Sequence, residues 1–212
     1  MNEFQYTLSG NIVRLEPLTF GHIEAMAAAS AADTPVQADD LYSWTVVPHG
    51  VKEATEYVNT ALLWHGQGTA IPFVIIRQND NAVIGSTRYF ECERWCWPAG
   101  HERYGNPYPD VAEIGYTWFA RSAVRTGANT EAKFLMLQHA FETWKALRIS
   151  LKTDLRNLRS QAAMERLGCW REGILRAQKL APDFSVRDSV RYSIIAEEWP
   201  DTKRHILGLM RK

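Results

Sequence analysis

The chain contains no apolar run approaching the roughly 20 residues that cross a bilayer, so no membrane-spanning helix is expected. It has no excess of either charge, since 24 Lys and Arg balance 24 Asp and Glu. That argues against general nucleic-acid binding, which neutralises phosphates with a basic surface, and leaves room for a local basic pocket. Cysteine is scarce. Cys92, Cys96 and Cys169 form an odd set without a spaced framework, which fits reduced thiols and a cytoplasmic location. The stretch Met1-Asn2-Glu3-Phe4-Gln5 has neither the basic nor the apolar part of a signal peptide. Cys92, Cys96 and His101 lack the spacing of a common zinc site and an evident fourth ligand, so no metal is expected. Repeats, low-complexity tracts and Pro-, Gly- or Ser-rich linkers are also missing. A single domain is the simplest account of 212 residues.

What is present is an ordinary globular composition, 46% apolar and 23% charged, with eight tryptophans. Alternation and turn chemistry predict strands at 12–18, 71–77, 82–90, 111–119, 149–153, 171–178 and 188–196. Helical periodicity predicts helices from a Thr19 cap to about Ala32, over 52–65, over 133–145, over 157–167 closed by Gly168, and over 201–210. The order β-α-α-β-β-β-α-β-α-β-β mixes strand connections rather than repeating βα. It predicts an α+β (α/β sandwich) fold with helices on both faces of the sheet.

The most informative segment is Arg125-Thr126-Gly127-Ala128-Asn129-Thr130-Glu131-Ala132. It follows the apolar run Ile114-Gly115-Tyr116-Thr117-Trp118-Phe119 and opens a helix. Amides at a helix N-terminus have no intrahelical partner, and the helix dipole favours an anion there. Gly127 permits close backbone approach and Arg125 adds charge, so a phosphate-bearing cofactor is expected at this turn. An ordinary βα turn that binds nothing is the plain alternative.

Several short segments in order then carry a family resemblance. They are 10–18, Pro72-Phe73-Val74-Ile75 with Val83-Ile84-Gly85-Ser86, Glu113 to Trp118, and Asn157, Ser160, Leu167-Gly168, Glu172-Gly173 and Leu175-Arg176. Together the chain from Gly10 to Trp199 resembles the GNAT N-acetyltransferases, and within them the branch acting on the N-terminal Ser or Ala of ribosomal proteins. The resemblance implies a mostly antiparallel central sheet with a splayed central strand, a domain over 10–200, and a helical extension over 201–212. It implies acetyl-CoA as co-substrate, with its pyrophosphate on Arg125, Thr126, Gly127, Ala128, Asn129 and Thr130. The family's glycine-rich pattern is altered here, with Val124 first and Asn129 last, and the basic residue moves to Arg125. The resemblance further places the thioester along Thr117, Trp118 and Phe119, where a backbone N–H would hold the oxyanion.

By the same resemblance Asn157 holds the pantetheine arm, beside its ordinary use as a helix cap. Ser160 would protonate the departing thiolate, or be only a serine near a helix start. The amine must lose a proton, and Glu113 is the first candidate base, with Glu91, Asp110 or a water relay as alternatives. For the acceptor, a peptide N-terminus or small amine, two aromatic walls are open. One is the long loop 94–110 with Trp95, Trp97, Tyr104 and Tyr108; the other is the irregular stretch with Tyr42 and Trp44. A loop that packs on its own sheet, or a homodimer contact, are the plain alternatives for the first. A non-catalytic acyl-CoA sensor and an interaction domain on the same fold remain rival readings.

Overall fold

The computed structural model describes residues 6–31 and 43–211. Eight strands form one sheet in the order β1-β2-β3-β4-β5-β6-β8-β7. They are β1 Leu8–Ser9, β2 Val13–Pro17, β3 Ala70–Arg77, β4 Val83–Glu93, β5 Val111–Phe119, β6 Arg148–Asp154, β7 Trp170–Leu180 and β8 Val186–Ile195. The helices are α1 Ile23–Ala31, α2 Gly50–Gly66, α3 Ala128–Gln138, α4 Leu158–Arg166 and α5 Trp199–Met210. Neighbouring strands run antiparallel except β5 and β6, which are parallel because α3 carries the chain back between them. The sheet is mixed and mostly antiparallel with helices on both faces, as the sequence predicts.

Alternation assigns the two faces. Phe73 and Ile75 join Val13, Leu15, Tyr89, Ile114, Met136, Leu137 and Trp144 in a core under α3 and α5. Val74 and Ile76 point the other way and meet Met26, Tyr57, Val58, Ala61 and Trp118 under α1 and α2. Strand β3 is therefore covered on both sides, which is why 71–76 reads as a continuous apolar run rather than as an alternating one. At the far edge β7 lies open to solvent, with Trp170 69% exposed.

The departures from expectation sit at element ends. A 3-10 turn, Phe20–His22, precedes α1, and the Thr19 N–H donates to the His22 ring at Nδ1 (3.1 Å). Helix α3 starts at Ala128, five residues before the expected start at Lys133, and ends in a π-helical turn, His139–Thr143. Strand β1 is too short to show a period. Its register with β2 follows from the hairpin, and the hairpin turn is anchored elsewhere. The Glu131 carboxylate accepts from the amides of Asn11 (2.9 Å), Ile12 (2.6 Å) and Val13 (2.7 Å).

Candidate active site

The turn before α3 has the geometry of an anion cradle. Arg125 (φ 63) and Gly127 (φ 82) are both left-handed, so the chain doubles back just as the helix begins. The Thr126 hydroxyl donates to the Ala123 carbonyl (2.7 Å) and fixes the bend. The first backbone bond of α3 runs from the Glu131 N–H to the Gly127 carbonyl (3.0 Å). The amides of Ala128, Asn129 and Thr130 are thus left without a helical acceptor. A Cβ on Gly127 would also meet Ile12 Cδ1 at 3.1 Å, so both backbone and space favour glycine. Arg166, at the end of α4, reaches the same place and donates to the Thr130 hydroxyl (3.0 Å).

From this turn a slit leads into the sheet. Strands β5 and β6 pair at Val111–Arg148, Ala112–Ile149 and Glu113–Ser150, and at no later residue. Beyond Glu113 the edge of β5 facing β6 has no strand partner. Strand β5 also carries a bulge here, since Ser86 pairs with Trp118 but Arg88 with Gly115, and Tyr116 takes φ 50. This is the splay that the resemblance implies. Of the three residues expected along it, Trp118 turns its indole into the α1–α2 core and offers only backbone. Thr117 points the other way. Its hydroxyl shares a hydrogen bond with Thr87 (2.8 Å) and accepts from the Lys133 ammonium (2.6 Å). Phe119 is half-buried against the α3 core.

The far wall of the slit is the β6–α4 connection. Asn157 caps α4, its Oδ1 accepting from the Ser160 N–H (3.0 Å), so the cap reading holds. The cap uses only the amide oxygen, which leaves the Nδ2 donors for a ligand. Ser160 is half-buried in the first turn of α4. Trp44 is drawn to the same place, with the Arg156 guanidinium 4.3 Å over its ring. Tyr42 lies outside the described residues.

Glu113 is 2% exposed at the point where the strands part. Its carboxylate is 3.2 Å from the Lys152 ammonium, which also reaches Glu91 (2.9 Å). Burial raises its pKa to about 7, against the pull of Lys152. A strand carboxylate of this kind is no solvated edge charge; it is poised to take a proton near neutrality. Because Glu113 pairs with Phe90, and Tyr89 between Phe90 and Arg88 reaches α3 through Met136, the Glu113 side chain lies on the face away from α3. The cradle and the carboxylate therefore approach the slit from opposite faces.

The aromatic loop behaves differently. Asp110 is buried and accepts from the Trp95 N–H (2.8 Å), Trp97 Nε1 (2.9 Å) and Arg103 (3.2 Å). Trp97 stacks on His101 at 4.2 Å. The loop thus folds onto its own aspartate at the Val111 end of β5, and Asp110 is occupied as its anchor rather than free as a base. The cradle follows the opposite end of that strand, so the structure does not bring Trp95, Trp97 or Tyr104 to it. Tyr108 is half-buried and packs against the α3-side core. Among the described residues no cluster of His, Cys, Asp and Glu could hold a metal, and no helix is long and apolar enough to cross a membrane. Burial raises the thiols of Cys92 and Cys169 to about 12, which leaves them un-ionised and poor nucleophiles.

Sequence reasoning missed three cations: Arg88, Lys133 and Lys152. Each is buried or nearly so, on an element otherwise read as apolar or alternating. A charge at an inward position of a strand or helix was the available signal.

The model of the acetyltransferase (GNAT) domain matches residues 13–169. A relative in Bacillus subtilis (strain 168), YdaF, is named as a candidate ribosomal N-acetyltransferase and is 34% identical over 92 residues. That match covers 43% of this chain and about half (49%) of the relative. The solved GCN5-related N-acetyltransferase of Brucella melitensis superposes with a TM-score of 0.81 at 24% identity, over 99% of this chain and 87% of that one. Mycobacterium smegmatis RimJ, solved in complex with CoA-disulfide, superposes at 0.74 with 23% identity, over 97% and 92% of the two chains. With an amide cradle, a parted strand pair and a family match over most of its length, the chain belongs to the GNAT acetyltransferase family.

Proposed function

We propose that the protein transfers an acetyl group from acetyl-CoA directly to a primary amine. The observation that carries this reading is the slit between β5 and β6, with an amide cradle on one face and a buried carboxylate of raised pKa on the other. The pyrophosphate would sit on the amides of Ala128, Asn129 and Thr130, with Arg125 and Arg166 nearby. Pantetheine would run between α3 and α4 toward Asn157. The CoA-disulfide bound to RimJ is a ligand of the same chemical kind.

The amine would approach from the α2 face. Its nitrogen attacks the thioester carbonyl and passes its proton to Glu113. A free backbone N–H of β5 stabilises the oxyanion. The C–N bond forms, the C–S bond breaks, and the sulfur leaves as a thiolate within reach of the Ser160 hydroxyl. No covalent enzyme intermediate is required. Acceptors in the range of a protein N-terminus or a small amine fit this chemistry, and the ribosomal name of YdaF supports the former.

Calorimetric titration with acetyl-CoA, dephospho-CoA and free pantetheine tests the cofactor half. Affinity should fall as the phosphates are removed. Thiol release with a panel of amines tests the chemistry. No binding at millimolar acetyl-CoA would sink the reading.

A further inference from the structure

Arg88 is 1% exposed on β4, yet no carboxylate of the described residues meets it. Its Nε is sealed without a partner, and none of its guanidinium nitrogens donates a hydrogen bond among the described residues. Three rings enclose it instead. Its guanidinium carbon lies 4.5 Å from the Tyr116 ring, 4.8 Å from Tyr57 and 5.3 Å from Trp64. Ring faces attract a cation but offer no lone pair in the guanidinium plane, so the forked edge keeps its donors. The cage itself is fixed: the Tyr57 hydroxyl donates to the Tyr116 carbonyl (3.2 Å), and Trp64 meets Tyr116 edge-on at 5.3 Å.

The position of this cation matters. Arg88 pairs with Gly115, one same-face step along the ladder from the Phe90–Glu113 pair. Same-face neighbours on a strand are about 7 Å apart. Arg88 therefore stands on the acceptor side, about one step from the proposed base. Lys179 adds a second positive charge on the same wall, 5.1 Å from the Tyr116 ring. A buried, unpaired guanidinium next to an amine site disfavours a second ammonium and favours an anion, above all a carboxylate that meets its planar fork.

We propose that Arg88 is a specificity-determining residue that binds a carboxylate on the acceptor. The preferred acceptor is then an amine carrying a carboxylate close by, either a free α-amino acid or a peptide N-terminus followed by an acidic side chain. Polyamines are excluded. The inference rests on the amine acetylation proposed above and narrows it.

Matched pairs test it: alanine against alaninamide, and a peptide starting Ser-Asp against one starting Ser-Asn. The acidic member of at least one pair should be favoured by about tenfold or more in kcat/KM. The pair that discriminates identifies the source of the carboxylate. Arg88→Met should remove the preference by raising KM for the acidic member alone, and Arg88→Lys should restore part of it. A merely structural arginine would change both members alike. Binding of N-acetylalanine and its amide in the presence of CoA gives the same comparison without turnover. No discrimination in the wild-type protein, or a preference that survives Arg88→Met, overturns the role of Arg88 even where acetyl-CoA binds. Failure of acetyl-CoA to bind overturns the enzymatic reading itself.

Discussion

Replacing Glu113 by Gln keeps the shape of the side chain and removes the proposed base. The carboxyl is buried, and its pKa stands at about 7 instead of 4.5. At pH 6 about a tenth of it is ionised, and at pH 8 about nine-tenths, so base catalysis alone should raise the rate about tenfold across that window. Removing a positioned base typically costs about 10²–10⁴-fold. Glu113→Gln should therefore lose about that much turnover and also lose the ascending limb near pH 7. Only the limb due to the acceptor amine should remain. Acetyl-CoA affinity, read by calorimetry, should not change. Stability moves oppositely. A folded-state pKa above the unfolded value contributes stability that is complete below about 4.5 and is lost as pH rises through about 7. The shift corresponds to about 3 kcal/mol, so the Gln variant should melt higher than wild type at pH 8 and no higher at pH 4. A Glu113→Gln enzyme with the wild-type rate and pH profile would refute the assignment.

Other substitutions probe the same architecture. Lys152→Met removes the cation that holds Glu113 down, so the ascending limb should move to higher pH in the rate profile. Gly127→Val places a branched residue at φ 82 against Ile12, and should abolish acetyl-CoA binding while circular dichroism shows the fold retained. Glu131→Ala leaves three hairpin amides without their acceptor and should cost about 3–5 kcal/mol in denaturant unfolding. Burial lowers the Lys133 pKa from 10.5 to about 7, so its contribution to stability is complete above 10.5 and lost as pH falls through about 7. Lys133→Met should accordingly raise the melting temperature at pH 6 and have little effect above pH 10.

The strands and the cradle were legible because they depend on local chemistry. Alternation in 12–18, the apolar run of 71–76 and Gly127 at a helix start each speak within a few residues. Asn157 likewise declared itself as a cap and is one. What stayed hidden depends on distant partners. Nothing near Glu131 reveals that its carboxylate closes a hairpin about 120 residues away. Nothing near Trp118 tells which face of a buried strand it takes, and the bulge at Tyr116 shifts the alternation that would have decided it. The loop 94–110 hid its own fold too: its run of rings does not reveal that the Trp95 amide and the Trp97 indole close on the buried Asp110.

The Glu131 anchor also bears on the order of assembly. The helix whose amides form the cradle is held at its first turn by the outermost hairpin, across the longest separation of any bond described around the site. Closing a loop of that length is entropically slow and follows, rather than precedes, the local pairings. On a ribosome the cradle cannot be fastened until well over half of the polypeptide has emerged. Cofactor affinity is then a late reporter of maturation, and disturbing the hairpin residues Asn11 and Ile12 would loosen a ligand turn that Ile12 lies against.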